Sequence, residues 1–437
     1  MNLYRLKEIA NIEISGVDKK AVDGETPVKL CNFVDVYHNW AITRKLSENF
    51  MLASAKETEI TKYSIHKGQV AITKDSETRD DIGIPTYIAD DLDDVLLGYH
   101  CALITPNEAI LDGKYLNAFM HTRFIQKYFE NNASGSGQRY TLSNETINQI
   151  PILLPNIEVQ KRIGNLLSDI DRKIELNRSI NDNLEKMAKR LYDYWFVQFD
   201  FPDKNGQPYK SSGGEMVWND DLHMDIPVNW NTCLLSDYVG GNNTGDWGYD
   251  EPAEGRKQKV RCVRGADIVK LNDLPIRYIK NSNTSKLLSA WDIVIEVSGG
   301  SPTQATGRSA FITPGVLKRN GGRLTCSNFC HAFSMKNYMD SAYFYFMWRK
   351  FYDNNNMFNY EGKTSGIKNF MTESFLANKW LNVPKDLIIL FFERIEILYK
   401  QIDNNIEEIN VLTKQRDELL PLLMNGQVSV NYHLSDD

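Results

Sequence analysis

The chain has 437 residues, 42% hydrophobic, 11% aromatic and 24% charged, which excludes a disordered, collagenous or wholly coiled-coil protein and, at about 100 to 200 residues per domain, gives two to four domains. The formal charge of −7 argues against a uniformly basic nucleic-acid binder, but residues 201–385 carry net +4 and residues 386–437 net −6, so a polyanion meets the former more readily. The longest apolar runs, such as Leu387 to Phe392, fall far short of the roughly 18 residues that cross a bilayer. MNLYRLKEIANIE carries charges where a signal peptide is apolar, and the six cysteines form no CxxC pair. The expectation is a cytoplasmic chain with no membrane partner and no disulfides.

In chain order, residues 1–155 are rich in Gly, Asn, Thr and short β-branched runs, with strand-like GQVAI from Gly68 and the loop GSGQRYTLS around Gly137. A proline-marked helix follows in 156–200. Its positions 163, 167, 170, 174, 177, 181, 184, 188, 191 and 195 read Ile, Leu, Ile, Ile, Asn, Asn, Leu, Ala, Leu, Trp, an apolar seam stepping by 4 and 3. Residues 201–385 repeat the loop-rich pattern, residues 386–426 repeat the helix, and 427–437 form a tail. Leu6 matches Leu235, Gly137 matches Gly366 and Pro155 matches Pro384, all at an offset of 229; Arg162-Ile163 matches Arg394-Ile395 and Leu191 matches Leu423 at 232. Val34-Asp35-Val36 answers Ala266-Asp267-Ile268, and GQVAI answers WDIVI from Trp291. A period near 230 is a duplicated domain, not a solenoid unit.

The second seam reads Ile395, Tyr399, Ile402, Ile406, Ile409, Thr413, Arg416, Leu420, Leu423, Gln427, with Pro421 expected to kink or stop the helix. A lone amphipathic helix ordinarily packs on its own domain. Two of equal phase in one chain predict an intramolecular antiparallel coiled coil with Ile163, Leu167, Ile170, Ile174, Leu184 and Leu191 facing Ile395, Ile402, Ile406, Ile409, Leu420 and Leu423. Asn177 and Asn181 would fix its register. The fold class is α+β: two similar loop-rich domains alternating with two long helices in a pseudo-twofold tandem repeat.

Most catalytic signatures are missing. There is no GxxxxGK[ST] loop, no GxGxxG after a strand and no Asn/Asp-Pro-Pro-aromatic tetrapeptide for gripping a flipped base. Pro202, Asp203 and Lys204 lack the second acid and close lysine of a metal nuclease. Cys326, Cys330 and His331 lack a second zinc-ligand pair, and Asp90, Asp91, Asp93 and Asp94 read as a solvated loop, so no metal site is expected. What remains is an inventory suited to reading base edges and phosphates: Lys74, Gln138, Arg139 and Tyr140 in the first domain, and Arg261, Arg264, Gln304, Arg308, Lys363, Thr364, Ser365, Lys368 and Asn369 in the second. Position by position these equally suit turn formers and solubilising loop tips.

IPILLPNIEVQKRIGNLLSDIDRKIELNRSINDNLEKMAKRLYDYWF, ERIEILYKQIDNNIEEINVLTKQRDELLPLLMNGQVSV, KGQVAITKDSETRDDIGIP, WDIVIEVSGGSPTQATGRSA, CSNF and TSGIKN together resemble the specificity subunits of type I restriction-modification systems over essentially the whole chain. VPKDLIILFFERI departs from the polar Pro-Leu-Glu-Gln turn that the family more often shows there. The resemblance implies a non-catalytic subunit that binds no cofactor, with S-adenosylmethionine, ATP and Mg on its partners: two methyltransferase subunits and two ATP-driven translocase-nuclease subunits. Each loop-rich domain would then be a target recognition domain, reading half of a bipartite double-stranded DNA site in the major groove. The helices would set the unread gap, since roughly 38 residues at 1.5 Å span about 55 Å, comparable to one and a half DNA turns of about 34 to 36 Å. A specificity subunit of a methylation-only system, a self-contained DNA-modifying enzyme and a pure oligomerisation scaffold are the rival readings.

Overall fold

The first strand, Asn2–Arg5, runs antiparallel to Pro151–Leu154, bringing the two ends of the first loop-rich domain together. The computed structural model describes residues 2–17, 20–135, 137–299, 301, 303–364 and 367–430, the side chains at 363 and 364 excepted. Among these residues no helix is long and apolar enough to cross a membrane. The chain forms two compact units, Met1–Leu176 with Ile409–Asp437, and Asn177–Glu408. The division falls inside both long helices rather than at their ends, so each unit joins one loop-rich domain to half of each helix.

The first unit is built on a five-stranded sheet ordered Ala10–Ile14, Cys101–Pro106, Val70–Thr73, Pro85–Ile88, Ala41–Ile42, and a four-stranded sheet ordered Met51–Ala55, Thr26–Cys31, Leu92–Leu97, Ser64–Ile65. In the second unit the sheets are Val239–Asn243, Cys330–Met335, Ile293–Glu296, Ser309–Phe311, and Ile276–Ile279, Gln258–Val263, Leu324–Cys326. Registers repeat as well as strand order. Cys101 faces Thr73 as Cys330 faces Glu296, and the parallel pairs place Leu97 beside Cys31 and Cys326 beside Val263. The turn into GQVAI uses Gly68 at φ +95°, while its counterpart Trp291 takes φ +73°. That region disfavours a bulky side chain, and Trp291 is held there by its N–H to Ile312 O at 2.6 Å and by ring packing on Phe311 and Phe392.

The first long helix, Ile157–Tyr192, starts where Asn156 Oδ1 accepts the Val159 N–H at 2.9 Å and ends in basic Lys189 and Arg190, complementing the helix dipole. Beyond it a π-helical turn, Asp193–Val197, buries Trp195 and Phe196. The second long helix is Lys385–Met424.

In the second unit Asn177 Nδ2 donates to Glu408 Oε2 and Asn405 Nδ2 to Asn181 Oδ1, both at 2.8 Å, so position rises along one helix as it falls along the other: the pair is antiparallel. In the first unit Arg416 reaches Asp171 at 3.3 Å and lies 4.6 Å over the Trp40 ring. Ile163, Leu167, Ile174, Ile395, Ile402, Leu420 and Leu423 are buried, and Ile170, Leu184, Leu191, Ile406 and Ile409 half-buried. The seam also packs on each unit's own core. Ile163, Leu167, Leu420 and Leu423 join Leu6, Val70, Ile104 and Leu116, while Ile395, Tyr399 and Ile402 join Tyr192, Phe196, Tyr343 and Trp348. Each such aliphatic side chain contributes about 1.5 to 3 kcal/mol by leaving water.

Two expectations are corrected. Pro421 does not stop the helix, which runs on to Met424 because Leu423 and Met424 bury in the first unit's core; Gln427 lies beyond the helix and is exposed. The acidic cluster is only partly a loop: Asp93 and Asp94 are exposed on the strand Leu92–Leu97, with Asp94 3.1 Å from Lys29, while Asp90 accepts the Arg44 N–H.

Candidate nucleic-acid interface

Each unit also carries a small three-stranded sheet whose strand pair flanks the conspicuous glycine segment. In the first, Ser134–Gly135 pairs with Tyr140–Thr141, which pairs with Asp75–Ser76. In the second, Glu361–Thr364 pairs with Ile367–Phe370, which pairs with Ser298–Gly299. A two-stranded ribbon fits the DNA major groove.

On the first hairpin Gln138 and Arg139 are exposed, and the Tyr140 ring lies under the Arg79 guanidinium at 5.3 Å. Arg139 Nη2 approaches the His100 ring nitrogens at 2.7 and 2.9 Å, and His100 Nδ1 is 2.5 Å from Asp75 Oδ2. Lys74 Nζ stands 3.8 Å from the same carboxylate. Burial pushes Asp75 upward, but hydrogen bonds from Thr141 and His100 and the Lys74 charge outweigh it and hold the carboxyl below its usual value. The hairpin root is therefore an anchored anion beside two cations, Lys74 and Arg139, each 3.8 Å from it.

The second hairpin is tied differently. Lys368 Nζ bonds Glu361 Oε2 at 2.8 Å and lies 4.9 Å over the Phe358 ring, and Glu361 Oε1 accepts the Thr306 N–H at 2.7 Å. Burial would raise the Glu361 carboxyl, yet the Lys368 and Thr306 hydrogen bonds leave it lowered. Asn369 Oδ1 accepts the Ser298 hydroxyl at 2.6 Å. Ser365 lies outside the described residues. Lys363 and Thr364 are described only as backbone, opposite Lys368 and Ile367.

The remaining arginines are engaged within the chain. Arg308 forks onto Glu296 at 2.7 and 2.8 Å, with the carboxylate only 5% exposed. Arg264 forks onto Asp267 at 2.7 and 2.8 Å, and Arg261 Nη1 donates to Leu274 O at 2.5 Å. An Arg fork committed to a carboxylate must release it before gripping a guanine. Gln304 is exposed in a tight turn with Ser301.

The structure adds groups that sequence reading passed over: His100 and Asp75 in the first unit, and Glu296, Glu361 and the stacked pairs Arg277–Trp247 at 4.0 Å and Arg256–Tyr249 at 4.5 Å in the second. DWGYDEPAEGR, with Trp247, Tyr249 and Arg256, was the available signal for the second stack; Arg277 lies outside that segment. Cys326 and Cys330 are buried thiols, the latter pushed up to about 12 chiefly by burial, and burial lowers His331. Among the described residues no group of three or more His, Cys, Asp or Glu is arranged to hold a metal ion.

Comparison with known proteins fits this architecture. Residues 1–186 match the family described as type I restriction modification DNA specificity domain. The chain is 27% identical over 338 residues to the type I restriction enzyme MjaIX specificity subunit of Methanocaldococcus jannaschii, covering 75% of this chain and 71% of that protein. It is 31% identical over 140 residues to the HindI specificity subunit of Haemophilus influenzae, 32% of this chain and 30% of the other. The crystal structure of a type I restriction-modification system S subunit from M. genitalium superimposes with a TM-score of 0.53 at 14% identity, over 97% of this chain and 95% of that one, a likeness of fold. With a duplicated α+β fold, paired hairpins and these relatives, the chain is similar to the type I restriction-modification specificity subunits, and its residues 1–186 match that family's DNA specificity domain.

Proposed function

We propose that this chain is the DNA-reading, non-catalytic subunit of a type I restriction-modification complex. Each loop-rich domain reads one half of a bipartite double-stranded target. The strand pairs Ser134–Gly135 with Tyr140–Thr141 and Glu361–Thr364 with Ile367–Phe370 enter the major groove, and the antiparallel helices set the gap and dock two methyltransferase subunits. Two translocase-nuclease subunits complete the assembly, and S-adenosylmethionine, ATP and Mg belong to these partners.

The observation that carries the reading is the duplication of the hairpin itself. The same small sheet recurs in both units, and each hairpin carries a cation, Arg139 in one and Lys368 in the other, at neighbouring positions of the repeat and with different side chains around it. A shared frame with unlike reading residues suits two different half-sites. Phosphate contacts from lysines such as Lys74 and Lys368 would give a salt-dependent, sequence-independent share of affinity.

The test is to map modified adenines in DNA from cells expressing the chain with its cognate methyltransferase subunits. The reading requires a two-part motif with a constant unread gap. A single uninterrupted motif, or modification without sequence preference, contradicts it.

A further inference from the structure

We propose that His100 and Asp75 buttress Arg139 so that its guanidinium is preset to grip a guanine in the first half-site, and that the second repeat lacks this device. The inference rests on reading the first hairpin as a base reader. The three side chains form a gradient from inside to outside: Asp75 is 11% exposed, His100 24% and Arg139 59%. Asp75 is fixed by its strand, opposite Thr141. His100 is fixed by its backbone, which turns at φ +73° and accepts the Lys74 N–H at 2.7 Å, and by the Tyr99 ring packed edge-on at 3.9 Å.

Hydrogen-bond chemistry then gives the ring one tautomer. Asp75 can only accept, so His100 Nδ1 carries the hydrogen towards it, and Arg139 Nη2, 2.7 and 2.9 Å from the two ring nitrogens, lies against the face of the imidazole and 3.8 Å from the Asp75 carboxylate. With the guanidinium resting on the imidazole face, the end-on pair of Nη1 and Nη2 hydrogens stays free, and that pair matches guanine O6 and N7. An exposed arginine otherwise surrenders much rotamer freedom on binding, and a buttress removes part of that loss beforehand.

The duplicated frame supplies the internal contrast. Phe329 occupies the His100 place, its carbonyl accepting the Val297 N–H at 2.9 Å as that of His100 accepts from Lys74. Ser298, paired with Asn369 as Asp75 is with Thr141, stands at the Asp75 place; that register puts Ile367 at the Arg139 place, while Lys368 turns to Glu361. Phe329 is 55% exposed and offers no ring N–H.

The experiment uses the full chain assembled with its methyltransferase partners, and the probe is a library of duplexes with randomised bases, sequenced after selection for binding. Arg139→Ala is expected to lower a guanine preference at one first-half position by roughly 5- to 150-fold. His100→Ala and Asp75→Asn are expected to lower the same preference about 3- to 10-fold. The double variant Arg139→Ala/His100→Ala should lose no more than Arg139→Ala. His100→Phe, which keeps a ring face under Arg139, should lose less of the preference than His100→Ala, and the second half should be untouched throughout. Should His100→Ala not fold, Asp75→Asn decides. An intact guanine preference in the buttress variants while Arg139→Ala loses it, additive losses in the double variant, losses in both halves, or relaxation at a base other than guanine overturns the inference. No change in Arg139→Ala at any base overturns the hairpin reading itself, and the buttress with it.

Discussion

The polar layer in the helix pair makes a quantitative expectation. Asn405 is 5% exposed; its amide donates to Asn181 at 2.8 Å and its carbonyl accepts from Gln401 at 2.8 Å. Asn405→Ala removes both bonds, and at about 1 kcal/mol net each the second unit should lose about 2 kcal/mol. Replacing both partners, Asn181→Leu with Asn405→Leu, removes the polar groups together and buries apolar surface, so stability should return to at least the wild-type level, at the expense of register. Urea unfolding followed by tryptophan fluorescence measures this selectively, because seven of the eight tryptophans lie within Asn177–Glu408 and only Trp40 in the other unit. With a slope of about 2 to 3 kcal/mol per molar, the single variant should lower the midpoint by roughly 1 M. An unchanged midpoint for Asn405→Ala, or a double variant weaker than the single one, refutes the reasoning.

Three further outcomes are expected. His121, stacked on Trp40 at 4.1 Å, is pulled down to about 3 by burial and the Arg416 charge. Between about pH 6.5 and that value the unfolded chain binds a proton that the folded one refuses, so stability falls on acidification, by up to about 1.4 kcal/mol per pH unit. His121→Phe should flatten that slope between pH 6.5 and 5 in unfolding curves of the first unit, and an unaltered slope counts against the assignment. Gly164→Ala gains about 1 kcal/mol of helix propensity, but its Cβ would stand 2.8 Å from Asp112 Oδ1 and the Tyr115 nitrogen. A net loss of about 1 to 3 kcal/mol is expected, and a raised melting temperature would contradict the close packing. Finally, because Asn177 and Glu408 are partners, a gap-lengthening insertion belongs in both helices, and seven residues keep the seam in phase. Such a pair adds about 10 Å of helix, and the unread gap of the methylation motif should lengthen by up to about three base pairs; an unchanged gap in an active complex would remove the helices as spacer.

The duplication was legible in the sequence because the match is written in strand registers: offsets near 229 align Cys101 with Cys330 and, through those, the sheets. The seam was legible because its apolar positions step with the helix period, and they bury as that period requires. Of the two outcomes expected at Pro421 the stop does not occur: the helix runs on to Met424, with Leu423 and Met424 buried beyond the proline. The division within the helices could not be read from periodicity, since the seam is continuous across it. At the hairpins, sequence indicated which loops carry cations but not what holds them. Arg139 meets a histidine 39 residues away and Lys114 an asparagine 51 away, and pairings of that separation exist only once the strands are in register. For Arg308 the partner was only twelve residues distant, yet nothing in the string shows that Glu296 faces it across adjoining strands.

The central claim, that one chain reads two half-sites with two similar domains, is tested most directly by motif mapping with paired variants. Methylated adenines would be located in DNA from cells whose complex carries either Gln138→Ala with Arg139→Ala or Lys368→Ala with Asn369→Ala. The account expects each pair to relax one half of the motif only, a different half in each case, with the other half and the gap unaltered, at about 1 to 3 kcal/mol for each lost base contact. Both pairs degrading both halves alike, or neither altering the motif in an active complex, would contradict it.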